Sequence, residues 1–122
     1  MLCGFVGFVG KESKEDKKKI IKDMADMIVH RGPDSEGYFV DERVALGFRR
    51  LSIIDLDKGN QPIYNEDKSM VIVFNGEVYN YKEIKEELIK RGHKFKTNTD
   101  TEVILHGYEE YREELFNKLR GM

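Results

Sequence analysis

A layered α+β fold is predicted by three features of the chain. Its segments run strand, helix, strands, helix, helix, without the regular strand–helix–strand alternation of a doubly wound parallel sheet. Residues 3–9 are a short, apolar, glycine-punctuated run that reads as a buried strand. Two later segments, opening at Asn80 and at Thr99, have a glutamate three residues on, at Glu83 and Glu102, which is the capping-box signature of a helix start.

The elements follow in order. Residues 14–29 are predicted to form an amphipathic helix. Ile20, Ile21, Met24, Met27 and Ile28 make one apolar stripe, and Lys14, Lys17, Lys18, Lys19 and Lys22 read as its solvated face. The stop signals are in His30-Arg31-Gly32-Pro33-Asp34, where Gly and Pro follow a basic last turn. Strands are expected over 37–40 and 44–54 with a polar turn between them, then a loop at Gly59-Asn60-Gln61-Pro62. Residues 70–74 read as a strong buried strand stopped by the turn dipeptide Asn75-Gly76. The helix from Asn80 puts Tyr81, Ile84 and Leu88 on one face and has Gly92 as its C-terminal cap. Residues 93–96 are expected as a short strand. The helix from Thr99 runs through Val103, Ile104 and Tyr108, and a last short helix carries Leu115, Phe116 and Leu119.

Composition narrows the function classes. The 122 residues suffice for one modest domain, 36% of them are charged, and the net charge is only −2. Neither nucleic acid nor a membrane surface is expected as a partner. No apolar run approaches the roughly 20 residues that span a bilayer. Lys11 interrupts the first apolar stretch with no basic region ahead of it, so no signal peptide is read. The single cysteine rules out an internal disulfide and suits a reducing, cytoplasmic setting. His30, His93 and His106 have no metal-site spacing, so no metal is expected. His106 follows Glu102 by four residues, but the two-histidine helix motif of zinc proteases is absent.

Three features carry chemistry. Cys3 reads either as a small buried hydrophobe or as a nucleophile. An N-terminal nucleophile uses its own α-amine, pKa about 7.7–8.0, as the base and needs no histidine. Asn75-Gly76 reads either as a tight turn or as an oxyanion hole, with a side-chain amide and a backbone N–H aimed at developing negative charge. Arg49-Arg50 and Asp100 are the third feature. An arginine fork matches a carboxylate, and an aspartate, helped by Glu77, could hold an ammonium group. An aspartate in a first helical turn is also favoured by the helix dipole alone. Together they describe a site for cutting the side-chain amide of glutamine.

Six segments in this order resemble class II glutamine amidotransferase domains, most closely the amino-terminal half of glutamine-hydrolysing asparagine synthetases. They are Cys3-Gly4-Phe5-Val6-Gly7, His30-Arg31-Gly32-Pro33-Asp34, Arg50-Leu51-Ser52-Ile53-Ile54-Asp55, Gln61-Pro62, Phe74-Asn75-Gly76-Glu77-Val78-Tyr79-Asn80 and Asp100-Thr101-Glu102-Val103-Ile104-Leu105. The resemblance implies a four-layer αββα sandwich of the N-terminal nucleophile hydrolase type. It implies that Cys3 attacks the glutamine amide carbon and that Asn75 and Gly76 form the oxyanion hole. Arg50, with backbone at Ile53 and Ile54, would hold the substrate carboxylate. Asp100, Glu77 and the Gly76 carbonyl would hold its ammonium. The ammonia released would feed ATP-dependent synthesis of asparagine from aspartate. A related amidotransferase part serving another acceptor, and a glutamine-binding module without activity, are the alternatives.

The chain departs from the family pattern in two places. Met1 and Leu2 precede the nucleophile and deny it a free amine. Either the position read as Leu2 is a UUG start that encodes Met, or a short leader is removed, or the chain as written is inactive. The resemblance also implies further strands after Met122 and then a synthetase domain, so the chain reads as a partial glutaminase domain, truncated at its C-terminus. It has no Ser-Gly-Gly-x-Asp-Ser loop and no Walker loop, so ATP and magnesium are expected only in that synthetase part. An unfinished sheet with open edges is expected to self-associate.

Overall fold

The computed structural model describes residues 3–51 and 60–122. It is a mixed α/β structure with antiparallel sheets and divides into two units. The first holds residues 3–51, 60–62 and 73–75, the second 63–72 and 76–122. Among the described residues no helix is long and apolar enough to cross a membrane.

In the first unit β1 (Gly4–Val9), β2 (Ser35–Val40) and β3 (Val44–Arg50) form an antiparallel sheet in the order β1-β3-β2. The register places Val6 and Tyr38 on either side of Gly47, and Phe5 and Gly37 on either side of Phe48. One face therefore carries the small residues Ala45 and Gly47, over which helix α1 (Lys14–Met27) packs with Ile21 and Ala25 fully buried. The β2–β3 turn is closed by Asp41, whose carboxylate accepts from the N–H groups of Arg43 (2.8 Å) and Val44 (2.7 Å). Those two bonds hold its carboxyl below the usual range. The first strand is less enclosed than expected: Phe5 is 51% exposed and Val9 80%.

Helix α1 is capped by Ser13, which accepts from Asp16 N–H at 3.1 Å. Its buried stripe corrects the predicted one. Lys17, Ile21 and Ala25 are buried at i, i+4 and i+8, whereas Ile20 and Met27 are exposed. Lys17 was expected on the solvated face, yet it is 0% exposed. Its ammonium donates to the carbonyls of Glu12 and Glu42, the latter at 2.9 Å. The four-carbon stem packs as a hydrophobe while its tip satisfies carbonyls left over by a loop and a turn. Replacing Lys17 by Met keeps the stem but orphans both acceptors. The expected cost is about 1–3 kcal/mol, read as a lowered urea midpoint at unchanged slope.

The second unit holds a two-stranded hairpin, β4 (Ile63–Tyr64) with β5 (Val71–Ile72), and three helices, α2 (Tyr81–Lys90), α3 (Thr101–Tyr111) and α4 (Leu115–Lys118). The buried Asn65 shapes the hairpin turn, donating to Ser69 Oγ (2.9 Å) and accepting from Met70 N–H (2.9 Å). Ile84, Leu88 and Val103 form the core between α2 and α3, with Tyr81, Phe95, Tyr111 and Leu119 against it. Gly92 has φ +97° and ends α2 as the sequence predicts.

Four other expectations are corrected. The strand over 70–74 shrinks to Val71–Ile72. Asn80 precedes α2 but makes no side-chain cap, because its amide is engaged by Lys118 O (2.8 Å) and Arg120 N–H (2.9 Å). Residues 93–96 form no strand: Lys94 N–H donates to Glu66 and Lys96 N–H to Glu102, so side-chain carboxylates take the place of a neighbouring strand. Glu102 does not close a capping box with Thr99; it is fully buried in α3, accepting from Lys96 N–H, Thr97 N–H, Thr97 Oγ1 and facing His106 Nε2 at 3.1 Å. Burial opposes ionisation of Glu102, but His106, Thr97 and the backbone donors prevail and pull its pKa down to about 2.

Candidate active site

Cys3 lies immediately before β1, and its neighbour Gly4 pairs with Arg49 of β3. The Cys3 side chain is 2% exposed and its thiol points to the Leu51 carbonyl at 4.0 Å. Its own carbonyl is held from two directions. Arg31 Nε donates to it at 3.0 Å and Asn75 Nδ2 at 3.1 Å. Asn75, expected to donate to an oxyanion, thus has one amide N–H on Cys3, 72 residues away in sequence. The amide carries a second hydrogen.

The placement of Asn75 has a local cause. Gln61 engages the main chain of Phe74 with both arms of its side chain, Nε2 donating to Phe74 O at 3.0 Å and Oε1 accepting from Phe74 N–H at 2.5 Å. A side-chain amide here does what a neighbouring strand does elsewhere in a sheet. This explains why the predicted strand stops at Ile72 while residues 73–75 remain fixed.

The motif around Arg31 is also a packing device. The Gly32 main chain lies so close to β3 that a Cβ would meet the Arg49 carbonyl carbon at 2.3 Å, a contact that only glycine avoids. Asp34 N–H donates to Arg50 O at 3.0 Å. The two neighbouring arginines then separate in role. Arg49 is 7% exposed and fully employed, with Nε donating to Gly32 O (2.9 Å) and Nη1 to Glu36. The Lys22 ammonium beside Glu36 holds that carboxyl below its usual range. Arg50 is half-buried at the end of β3 and donates from Nη1 to Asn60 Oδ1 at 3.0 Å.

In the second unit Gly76 and Glu77 precede a short antiparallel pairing with the last residues of the chain. Glu77 N–H donates to Met122 O (2.8 Å), Met122 N–H returns to Glu77 O (2.9 Å), and Val78 bridges Gly121. Asp100 is the residue before α3, and its Oδ2 accepts from Val78 N–H at 2.7 Å. Asp100 is therefore fixed against the segment that carries Gly76 and Glu77. Glu77 itself is exposed. Ile53 and Ile54 lie outside the described residues, as do Met1 and Leu2.

The first unit thus brings Cys3, Asn75 and Arg31 together, and the second brings Asp100 to the Gly76–Val78 segment. Arg31 and Gln61 are positioning residues that the sequence reading did not single out. Both stand inside motif segments, as part of Arg31-Gly32-Pro33 and Gln61-Pro62, and that is the signal by which they could have been found.

A family model described as a glutamine amidotransferase domain matches residues 2–122. Among curated proteins, a glutamine-hydrolysing asparagine synthetase of Bacillus subtilis (strain 168) is 55% identical over 124 residues, covering 99% of this chain and 20% of its own length. The corresponding protein of Zea mays is 43% identical over 122 residues, again 99% of this chain and 20% of its own. One from Arabidopsis thaliana is 41% identical, covering 99% and 21%. The chain spans about a fifth of the length of the curated relatives it matches.

Proposed function

The chain belongs to the glutamine amidotransferase domain family, and from that premise we propose that it hydrolyses the side-chain amide of glutamine to glutamate and ammonia through a thioester on Cys3. The observation that carries the reading is the double hold on the Cys3 carbonyl by Arg31 and Asn75, which fixes a thiol-bearing residue at the chain's start beside an amide donor.

In the proposed reaction the α-amine of Cys3, freed of Met1 and Leu2, takes the thiol proton as sulfur attacks the amide carbon. The second N–H of Asn75 and the Gly76 N–H stabilise the oxyanion. The ammonium formed at the α-amine returns its proton to the leaving nitrogen, and ammonia departs. Water then cleaves the thioester and restores the thiol. Arg50 holds the α-carboxylate, with backbone at Ile53 and Ile54. Asp100, Glu77 and the Gly76 carbonyl hold the α-ammonium, a role supported by the Asp100–Val78 hydrogen bond that fixes the carboxylate.

The full fold is proposed as a four-layer αββα sandwich in the cytoplasm. The relatives' names support asparagine synthesis as the use of the ammonia, in a synthetase domain of the parent protein. ATP and magnesium would act there. The sequence has neither a Ser-Gly-Gly-x-Asp-Ser loop nor a Walker loop, and no step of the proposed glutaminase reaction uses ATP or magnesium.

Asn75→Ala tests the reading. It removes one oxyanion donor and is expected to lower kcat by about 10²–10³ with KM little changed. Arg50→Leu should instead raise KM for glutamine. Equal, modest effects of both variants on KM alone would refute the assignment of Asn75 to the oxyanion.

A further inference from the structure

A second cluster of reactive side chains stands in the second unit, made of residues that the proposed amide chemistry does not use. Glu66 in the β4–β5 turn, His93 just after α2, and His106 and Glu109 on α3 each offer one ligand atom, and these atoms lie within 4.8 Å of one another. The spacing reading of the sequence missed them because they come from three separate elements. We propose that these four side chains form a divalent metal site, with zinc as the metal best suited to it.

Geometry carries the proposal. A tetrahedral zinc ion with bonds of about 2.0–2.1 Å separates its ligand atoms by about 3.3 Å. His106 Nδ1 lies 3.1 Å from Glu109 Oε1 and 3.6 Å from Glu66 Oε1, and His93 Nδ1 lies 4.0 Å from Glu109 Oε1. These three pairs are each within an ångström of that separation, and the other pairs lie within 4.8 Å. Two imidazoles with two carboxylates are borderline ligands that favour zinc over magnesium or calcium, and the two carboxylates balance the ion's charge.

The surrounding groups orient this set. His106 is 1% exposed, and its other nitrogen, Nε2, faces Glu102 Oε1 at 3.1 Å. Nδ1 faces Glu109 Oε1 at 3.1 Å, and an ion would displace the Nδ1 proton there while Nε2–H stays on Glu102, the arrangement found behind metal-bound histidines. Glu102 is held by three further donors from Lys96 and Thr97. Lys94 N–H donates to Glu66 Oε1 at 3.0 Å. His93 Nε2 lies 3.7 Å from Glu110 Oε2, and Glu110 in turn receives Arg91 at 3.3 Å. Phe95 packs edge-on to the His106 ring at 4.6 Å and closes one side of the cluster. The site ties the hairpin, the α2–α3 connection and α3 together, so the ion is structural.

The test uses the purified protein stripped with chelator. Zinc is titrated in competition with a chromogenic chelator, and cobalt is followed by visible absorption. The expected result is one equivalent bound at or below micromolar concentration, an intense tetrahedral cobalt spectrum, and a raised melting temperature. His93→Ala and Glu66→Gln, both at partly exposed positions, should each weaken binding about 10-fold or more while keeping the native circular dichroism spectrum. Cys3→Ala should leave binding intact. Three results would overturn the proposal: no binding at micromolar metal, a weak six-coordinate cobalt spectrum, or affinity that follows Cys3 rather than His93 and Glu66.

Discussion

Cys3→Ala is expected to abolish glutamine hydrolysis, by about a million-fold if this thiol behaves as other single-residue nucleophiles do. The fold should survive. The position is 2% exposed and, among the described residues, the thiol's hydrogen-bond partner is a carbonyl at 4.0 Å, so the change removes one atom and a weak contact. Glutamine binding through Arg50 and Asp100 should remain. The paired measurement is ammonia release and glutamine affinity on the same protein. Hydrolysis that persists would remove the thioester from the mechanism. Lost affinity with an unchanged melting temperature would mean that the cysteine holds the substrate rather than cutting it.

The second large effect concerns the two residues ahead of that thiol. Protein whose intact mass still includes Met1 and Leu2 is expected to lack the base, worth about 10²–10⁴ in rate, and to present a nucleophile crowded by its own chain. Protein that begins at Cys3 should show activity that rises with pH through the α-amine pKa of about 7.7–8.0. Comparable glutaminase rates for the two species, verified by mass, would eliminate the amine as base.

Much of the local structure was legible. The β1 run, the first helix, the β2–β3 hairpin and Gly92 follow from periodicity and turn residues within a few positions of one another, and the helices at Tyr81 and Thr101 stand where periodicity puts them although the capping boxes that marked them are not made. What escaped was side chains recruited by tertiary partners, some far along the chain and some only a few residues away. Lys17 looked solvated because one of its two acceptors, the Glu42 carbonyl 25 residues on, is in place only once the β2–β3 turn meets the start of α1. Asn80 and Glu102 fit a local capping rule, but one serves Lys118 and Arg120 and the other serves His106 and Thr97. The strand expected over 70–74 failed for the same reason, since Gln61 supplies by side chain what a ladder would supply. At the candidate site the motif order was legible, and it pointed to the family that the chain matches. The hold of Asn75 and Arg31 on the Cys3 carbonyl was not, because no local pattern encodes a contact across 72 residues.

That contact also sets a clock on synthesis. A ribosome adds residues at 5–20 per second, so the 72 positions between Cys3 and Asn75 take roughly 4–14 s to make. Through that interval Asn75 is unmade and the Cys3 carbonyl lacks its amide donor. Any peptidase that must expose the Cys3 amine meets its substrate before the last clamp closes, and trimming during translation is expected to outpace trimming of the finished protein, a difference that pulse-labelling with mass readout would reveal.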